Sequence, residues 1–140
     1  MKTVIYENFP NEASEIRKAV FIDEQGFQSE FDEIDNEAVH IVFFDESDVP
    51  VATCRVFWNE EKNAYTLGRL AVTKKCRGKG IGSAVVKEAE RYVHRMGGTD
   101  IILHAQCTAA DFYRKIGFTE FGEIEEEQGC PHIWMRKKSI

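Results

Sequence analysis

The sequence lacks an excess of positive charge. Its 18 Lys and Arg residues are outnumbered by 24 Asp and Glu residues, which gives a formal net charge of −6. The electric field of such a chain repels nucleic acid and anionic membrane surfaces, so we expect neither as a partner. An anionic ligand would have to be bound by a local group of cations and backbone N–H groups.

Paired cysteines and long apolar runs are also missing. No two cysteines form the CxxC pair typical of metal and redox sites, so we expect reduced thiols and no bound metal ion. Glu7 and Pro10 interrupt the N-terminal segment before a signal sequence could develop, and no stretch approaches about 18 apolar residues. These absences predict a cytoplasmic protein that is neither exported nor inserted in a membrane.

The first half of the chain predicts a helix followed by an antiparallel meander. With 140 residues, of which 43% are hydrophobic, we expect a single domain over residues 1–140. Residues 11–22 place apolar side chains at helical spacing behind Asn11, a candidate N-cap. Residues 40–44, 51–58 and 64–72 are typical of strands, and their short connections favour antiparallel pairing.

The second half predicts a β-α-β crossover and a closing pair of strands. A helical pattern from Ile81 to Met96 stops at Gly97 and Gly98, and a β-branched strand follows at residues 101–105. Further segments predict a second helix ending at Gly117, then strands at 118–124 and 132–137. The expected fold is a mixed α/β sheet with helices on both faces. An exposed last strand would allow a homodimer through edge pairing.

Three glycines alternate with other residues between a predicted strand and a predicted helix, in the stretch CRGKGIGSAVV at residues 76–86. Glycines in this position let the backbone approach a ligand, with free N–H groups and the positive end of a helix directed at it. This arrangement predicts an anion site. The letters do not form a Walker A loop, and a dinucleotide fingerprint fits poorly because Ser83 occupies the third glycine position and Asp100 precedes its strand.

A third pattern fits these letters better. Residues 70–86, LAVTKKCRGKGIGSAVV, resemble the acetyl-coenzyme A loop of the GNAT N-acetyltransferases, in which Arg or Gln is followed after two residues by Gly and, one residue later, by Gly or Ala. Arg77, Gly80 and Gly82 match that signature. Residues 109–118, AADFYRKIGF, resemble the second family motif, a helix that carries Phe-Tyr and ends at Gly-Phe. Residues 17–27, 32–42 and 129–135 resemble a small bacterial single-domain subgroup.

The resemblance implies an enzyme that transfers an acetyl group from acetyl-CoA, as co-substrate, to a primary amine of a small molecule or a protein. It places the pyrophosphate of coenzyme A on the backbone of residues 78–83 and the pantetheine arm along the preceding strand. Thr108 takes the place where relatives often carry Asn. The residues expected to bind the cofactor are Leu70, Ala71, Val72, Arg77, Gly78, Lys79, Gly80, Ile81, Gly82, Ser83, Thr108 and Phe112.

The resemblance also suggests catalytic groups. Tyr113 corresponds to the family tyrosine that protonates the departing thiolate. Many relatives carry a carboxylate on the strand before the loop, but this chain has Gly68 and Arg69 there, so a different base is required. We expect His132 to be that base, because imidazole titrates near working pH. The acidic loop after the first helix suggests Glu24 and Asp35 as contacts for the acceptor.

Other functions remain open at this point. A chain without the strand carboxylate could be an idle acetyl-CoA sensor that binds the cofactor without transferring its acetyl group. A scaffold protein could use the same fold, although it would need neither the glycine loop nor Tyr113. Cys107 could carry an acetyl-cysteine intermediate, but no activating histidine is adjacent to it in the sequence, and the family transfers directly. The acceptor amine is not specified by any motif.

Overall fold

The structure is a computed structural model and describes residues 1–138. It contains seven strands and three α-helices, connected by short 3₁₀ turns at residues 33–36, 74–76 and 107–109. The elements are, in chain order, β1 (Lys2–Tyr6), α1 (Asn11–Arg17) with a π-helical extension (Lys18–Glu24), β2 (Val39–Phe44), β3 (Pro50–Asn59), β4 (Ala64–Val72), α2 (Ile81–Arg95), β5 (Asp100–Gln106), α3 (Ala110–Lys115), β6 (Thr119–Glu127) and β7 (Cys130–Lys138).

The strands form one mixed sheet in the order β1-β2-β3-β4-β5-β7-β6. β4 and β5 are parallel, with Tyr65–Leu67 opposite Ile101–Leu103, and this is the crossover that the sequence predicts. β1 pairs with β2, β2 with β3, β5 with β7 and β6 with β7, all antiparallel. The mixed α/β fold is confirmed.

The expectation of an exposed last strand is wrong. β7 lies between β5 and β6, so its backbone is paired on both sides, and the strand at this edge of the sheet is β6. The sequence could not show this exchange, because neighbouring strands in a sequence usually, but not always, neighbour each other in the sheet. The last strand, Cys130–Lys138, therefore offers no free edge through which a homodimer could pair.

The chain divides into two compact units. One consists of residues 1–57 together with 68–89, and the other of residues 58–67 together with the chain from residue 90 onward. In the first unit, α1 and its extension bury an apolar face against β2 and β4. This core contains Ala13, Ile16, Val20, Phe21, Val42, Phe44 and Ala71.

The N-terminal part of the first unit differs from the sequence prediction in two ways. β1 was not predicted, and it pairs with β2 from Lys2 opposite Phe44 to Tyr6 opposite His40. Asn11 is the first residue of α1 and not its cap, since the carbonyl of Pro10 accepts the N–H of Ser14 at 3.1 Å. The helix then continues with wider turns to Glu24, beyond the predicted end at residue 22.

In the second unit, the end of α2 is set by two glycines. Gly97 has φ +81°, which lets the chain leave the helix in a left-handed conformation. A Cβ on Gly98 would lie 2.6 Å from the Val93 side chain and 2.7 Å from the Tyr65 ring, so the packing of α2 requires glycine there. Among residues 1–138, no helix is both long enough and apolar enough to cross a membrane.

Candidate active site

The glycine loop joins β4 to α2 in the first unit. Gly78 and Gly80 both have φ +78°, a conformation that residues with a side chain rarely adopt. A Cβ built on either glycine would meet no atom within 4 Å, so the glycines are required by backbone conformation and not by lack of space. Residues 77–80 are exposed, and the loop therefore presents its backbone to solvent.

The loop ends at the N-terminus of a 15-residue helix. The carbonyl of Gly80 accepts the N–H of Ala84 at 3.1 Å, so the N–H groups of Ile81, Gly82 and Ser83 precede the first helical hydrogen bond. These donors lie at the positive end of the helix dipole, with the exposed Lys79 beside them. Three N–H groups, a helix terminus and a cation together fit a phosphate group.

Arg77 braces this loop. Its Nη2 donates to Oε1 of Glu24 at 2.7 Å, its Nη1 donates to the other oxygen of the same carboxylate, and its Nε donates to the carbonyl of Val72 at 3.0 Å. The hydrogen bonds from Arg77 lower the pKa of Glu24 below its usual value. Two residues that the sequence assigns to different ligands, Arg77 to the cofactor and Glu24 to the acceptor, thus contact each other.

β4 contains a distortion at Arg69. This residue has φ +51°, which is unusual for a side-chain-bearing residue in a strand and stores strain of the order of 1 to 2 kcal/mol. The register with β5 ends two residues earlier, at Leu67. Leu70, Ala71 and Val72, the expected contacts of the pantetheine arm, follow the distortion.

Within the first unit, a largely buried network of charges holds the acidic loop against α1, β3 and β4. It joins three arginines to three carboxylates, Arg17, Arg55, Arg69, Glu30, Asp32 and Asp35. Arg55 donates to Asp32 at 2.5 Å and 3.1 Å and to Asp35 at 3.0 Å, while Arg69 donates to the carbonyl of Glu30 at 2.8 Å. Each buried charge has a partner of opposite sign, and separating such a pair would leave an uncompensated charge in the interior. The ion pairs therefore fix the position of the loop.

The position of Asp35 does not fit the expected contact with an acceptor. Asp35 is fully buried, and its carboxylate accepts hydrogen bonds from Arg17 and Arg55. Burial raises the pKa of this group, but the hydrogen bonds from Arg17 and from the backbone N–H of Asp32, together with the charges of Arg17 and Arg55, outweigh it and lower the pKa to about 2. Asp35 therefore stays ionised as part of the network.

His40 lies beneath the same network. Its Nε2 is 3.0 Å from the carbonyl oxygen of Asp35, and since a carbonyl can only accept, Nε2 carries the hydrogen. The other ring nitrogen, Nδ1, is buried without a partner, and the ring packs on Phe9 at 4.9 Å between centroids. Burial lowers the pKa of His40 below its usual value, so the ring is held neutral.

In the second unit, α3 carries the Phe-Tyr pair. Tyr113 is buried, and its ring packs edge-on against Phe112 at 5.0 Å and Phe118 at 5.8 Å. Phe112 is half-buried, and Thr108 is exposed in the short turn before the helix. These aromatic contacts restrict the ring plane of Tyr113.

His132 belongs to a cluster at the ends of β5, β6 and β7. His132 is buried, and its ring lies 5.1 Å from that of His104, which stacks on Trp134 at 4.5 Å. Glu127 contacts both histidines, with 2.8 Å between its Oε1 and His104 Nδ1 and 4.0 Å between its Oε2 and His132 Nε2. Among residues 1–138, no group of three or more His, Cys, Asp or Glu side chains is arranged to hold a metal ion.

Sequence reasoning missed His104 and the arginines of the buried network. His104 lies within the apolar run of β5, residues 101–105, where a polar residue is the signal that could have identified it. Arg17 lies on the face of α1 that carries apolar residues, so its position contradicts an amphipathic pattern. In both cases the partner is distant in sequence, and no local pattern identifies it.

Comparison with known proteins points to one family. Residues 8–139 match the profile of the acetyltransferase (GNAT) domain. The chain is 35% identical to the uncharacterized N-acetyltransferase YjcF of Bacillus subtilis, over 98% of this chain and 99% of that protein, and 30% identical to the protein ElaA of Escherichia coli, over 90% of this chain and 85% of that protein.

Solved structures agree in fold. The crystal structure of Escherichia coli ElaA has a TM-score of 0.83 at 26% identity and covers 97% of this chain and 98% of that one. An aminoglycoside 6'-N-acetyltransferase complexed with coenzyme A has a TM-score of 0.76 at 17% identity, over 100% of this chain and 98% of that chain. The second likeness concerns the fold alone.

Proposed function

Because the chain belongs to the GNAT acetyltransferase family, we propose that it transfers an acetyl group from acetyl-CoA directly to a primary amine of a small molecule or a protein. The observation that supports this most is the loop at the N-terminus of α2. Its left-handed glycines, free N–H groups and Lys79 form an anion site in a chain whose net charge is negative. Coenzyme A carries a pyrophosphate, which such a site suits.

The cofactor residues are proposed from the family motif. Gly78, Gly80 and the N–H groups of 81–83 would hold the pyrophosphate, with Lys79 adding charge. Arg77 would act through its bonds to Glu24 and Val72, which brace the loop. The backbone of Leu70–Val72 would pair with the pantetheine arm, and Thr108 and Phe112 would contact the cofactor. When bound, acetyl-CoA supplies the acetyl group as a thioester with a thiolate leaving group.

Tyr113 is the proposed acid. A phenol with a reference pKa of about 10 can donate a proton to the thiolate that leaves during transfer, whose parent thiol has a reference pKa of about 8.5. The packing of its ring between Phe112 and Phe118 supports this role, because a fixed ring holds the hydroxyl in one place.

His132 is the proposed base. Its Nδ1 lies 2.8 Å from the carbonyl oxygen of Cys130, so Nδ1 carries the hydrogen and the lone pair of the neutral ring is on Nε2. An amine must lose a proton to complete acetyl transfer, and a nitrogen with a free lone pair can accept it. No carboxylate takes this role on β4, where Arg69 occupies the distorted position.

An idle acetyl-CoA sensor is the second candidate, favoured by Arg69 in place of a strand carboxylate. The two functions are separated by incubating the protein with acetyl-CoA and a mixed panel of amines, with products detected by mass spectrometry and cofactor binding measured by calorimetry in parallel. Acetylated product above the rate without protein supports the enzyme. Binding of the cofactor without transfer to any class of amine supports the sensor, and the absence of both overturns the proposal.

A further inference from the structure

The cluster at the ends of β5, β6 and β7 links two histidines through one carboxylate. His104 lies opposite Trp134 and Gln106 opposite His132 in the pairing of β5 with β7, so the two histidines share one face of the sheet. Glu127 extends from β6 toward the same face and lies 2.8 Å from His104 and 4.0 Å from His132. The three side chains form a row, His132, Glu127, His104.

The hydrogen bonds of the row have a defined direction. The Cys130 carbonyl holds the hydrogen of His132 on Nδ1, which leaves Nε2 facing the carboxylate of Glu127. At 4.0 Å this nitrogen is beyond hydrogen-bond distance from Glu127, so its lone pair remains available to a proton. Once Nε2 is protonated, the ring becomes a cation next to a carboxylate, which stabilises the charged form.

His104 sets the position of that carboxylate. Its Nδ1 donates to Oε1 of Glu127, and its Nε2 lies 3.3 Å from Oε1 of Glu125, so the ring lies between two carboxylates. Trp134 stacks on His104, and its indole N–H donates to the same Glu125 oxygen at 3.3 Å. Glu127 is half-exposed. The bond from His104 leaves its second oxygen directed at His132.

We propose that His104 and Glu127 are positioning residues for His132. This inference rests on the proposed function, in which the bond between nitrogen and hydrogen of the attacking amine breaks, its electron pair stays on the amine and the proton binds His132 Nε2. Glu127 stabilises the resulting imidazolium, and His104 keeps Glu127 in place. Besides Glu127 and His104, the titratable and charged groups around His132 are Glu125, Cys107, Cys130 and Lys62. Lys62 lies over the Trp134 ring, with its Nζ 4.8 Å from the ring centroid.

The first test measures the cluster without relying on activity. Nuclear magnetic resonance follows the ring protons of His132 against pH in the wild type and in Glu127→Gln, with His132→Gln used to assign the signal. We expect the midpoint for His132 to be lower in Glu127→Gln than in the wild type, because the variant lacks the carboxylate that stabilises the charged ring. Glu126→Gln removes the same charge from a neighbouring exposed position and should leave the midpoint unchanged. A midpoint that is the same in wild type and Glu127→Gln overturns the inference.

The role of His104 is isolated by comparing two variants. His104→Ala and His104→Asn both remove a titratable ring, but the Asn amide can place an N–H near the position of Nδ1 and keep the bond to Glu127. We expect the His132 midpoint to be lower in His104→Ala than in His104→Asn, which isolates the hydrogen bond from the change of charge. Equal midpoints in the two variants would show that His104 does not act through Glu127.

The second test uses the enzyme reaction. In the pH profile of kcat/KM, the acidic limb should move to lower pH in Glu127→Gln, while KM for acetyl-CoA stays that of the wild type. If the wild type is active and the acidic limb lies at the same pH in Glu127→Gln, the positioning role is wrong while the proposed function stands. If the wild type acetylates no amine, the base role of His132 falls with the proposed function, and the midpoints alone decide whether the three residues are coupled.

Discussion

Arg17 donates two hydrogen bonds to the carboxylate of Asp35, at 2.8 Å and 2.9 Å, and both side chains are almost completely buried. Arg17 also donates to the carboxylate and the carbonyl of Glu30, at 2.6 Å and 2.9 Å. One guanidinium on α1 thus anchors two positions of the acidic loop. The sequence predicts that Asp35 contacts the acceptor. In the structure, Asp35 instead binds Arg17 and so holds the acidic loop in place.

Removing Arg17 should destabilise the protein strongly. Arg17→Met keeps a similar volume but leaves Glu30 buried without a cation and Asp35 with Arg55 as its one remaining cation, and a broken buried ion pair typically costs about 3 to 5 kcal/mol. The free energy of unfolding in urea measures this. Arg114→Met is the matched control, because Arg114 also bonds two carboxylates, Glu120 and Asp111, but does so at the exposed surface. We expect little change in the free energy of unfolding for Arg114→Met. A similar loss of stability in both variants would contradict a special role for burial.

Acid should destabilise the protein in two stages. The pKa of His40 is lowered in the folded state by burial, so below about pH 6.5 the unfolded chain takes up a proton that the folded chain does not. Stability therefore falls as the pH drops below that value. Asp35 has a folded pKa of about 2, so its contribution is present above about pH 4 and is lost as the pH falls toward 2.

The first stage can be isolated with His40→Gln, whose amide can still donate to the Asp35 carbonyl but does not titrate. Urea unfolding between pH 7 and pH 4.5 should show a smaller decline for this variant than for the wild type. Equal declines would show that another group is responsible.

Gly80→Ala should weaken coenzyme A binding without disturbing the core. An alanine at φ +78° is strained by about 1 to 2 kcal/mol, and relief of that strain would turn the N–H groups of the loop away from the ligand. Gly97→Ala introduces the same strain, at φ +81° and with the same free space around the Cβ, at the other end of α2. Calorimetry should detect weaker binding for Gly80→Ala alone, while both variants lose comparable thermal stability. Equal affinities would contradict the anion site.

Tyr113→Phe should slow acetyl transfer by at least tenfold, which is about 1.4 kcal/mol of transition-state stabilisation. The ring contacts with Phe112 and Phe118 remain in this variant. Initial rates at saturating acetyl-CoA measure the effect. Tyr65→Phe makes the same chemical change on β4, where the ring packs against Trp58, and should keep the wild-type rate. A Tyr113→Phe enzyme with full activity would exclude the tyrosine as the acid.

Local patterns in the sequence were sufficient for most of the fold. The helix from Ile81, the glycine stop at Gly97 and Gly98 and the β-α-β crossover follow from spacing and turn chemistry, which depend on neighbouring residues. The glycine loop could be identified for the same reason, since its conformation is set by Gly78 and Gly80 themselves.

Only the tertiary structure decided the relationships between distant residues. β7 lies in the sheet between β5 and β6, and this order depends on pairing between distant strands, so local patterns did not show that the last strand is internal. In the same way, nothing in the sequence distinguishes Asp35 from the other acidic loop residues, and only the structure shows that Arg17 and Arg55 bind it. Likewise, only the structure shows that His104 contacts Glu127 of β6. The sequence by itself determined most of the helices and strands and the conformation of the glycine loop, because those depend on local backbone preference. The pairing and burial of charged side chains depend on contacts between residues that are distant in the sequence. Only the folded structure brings those residues together.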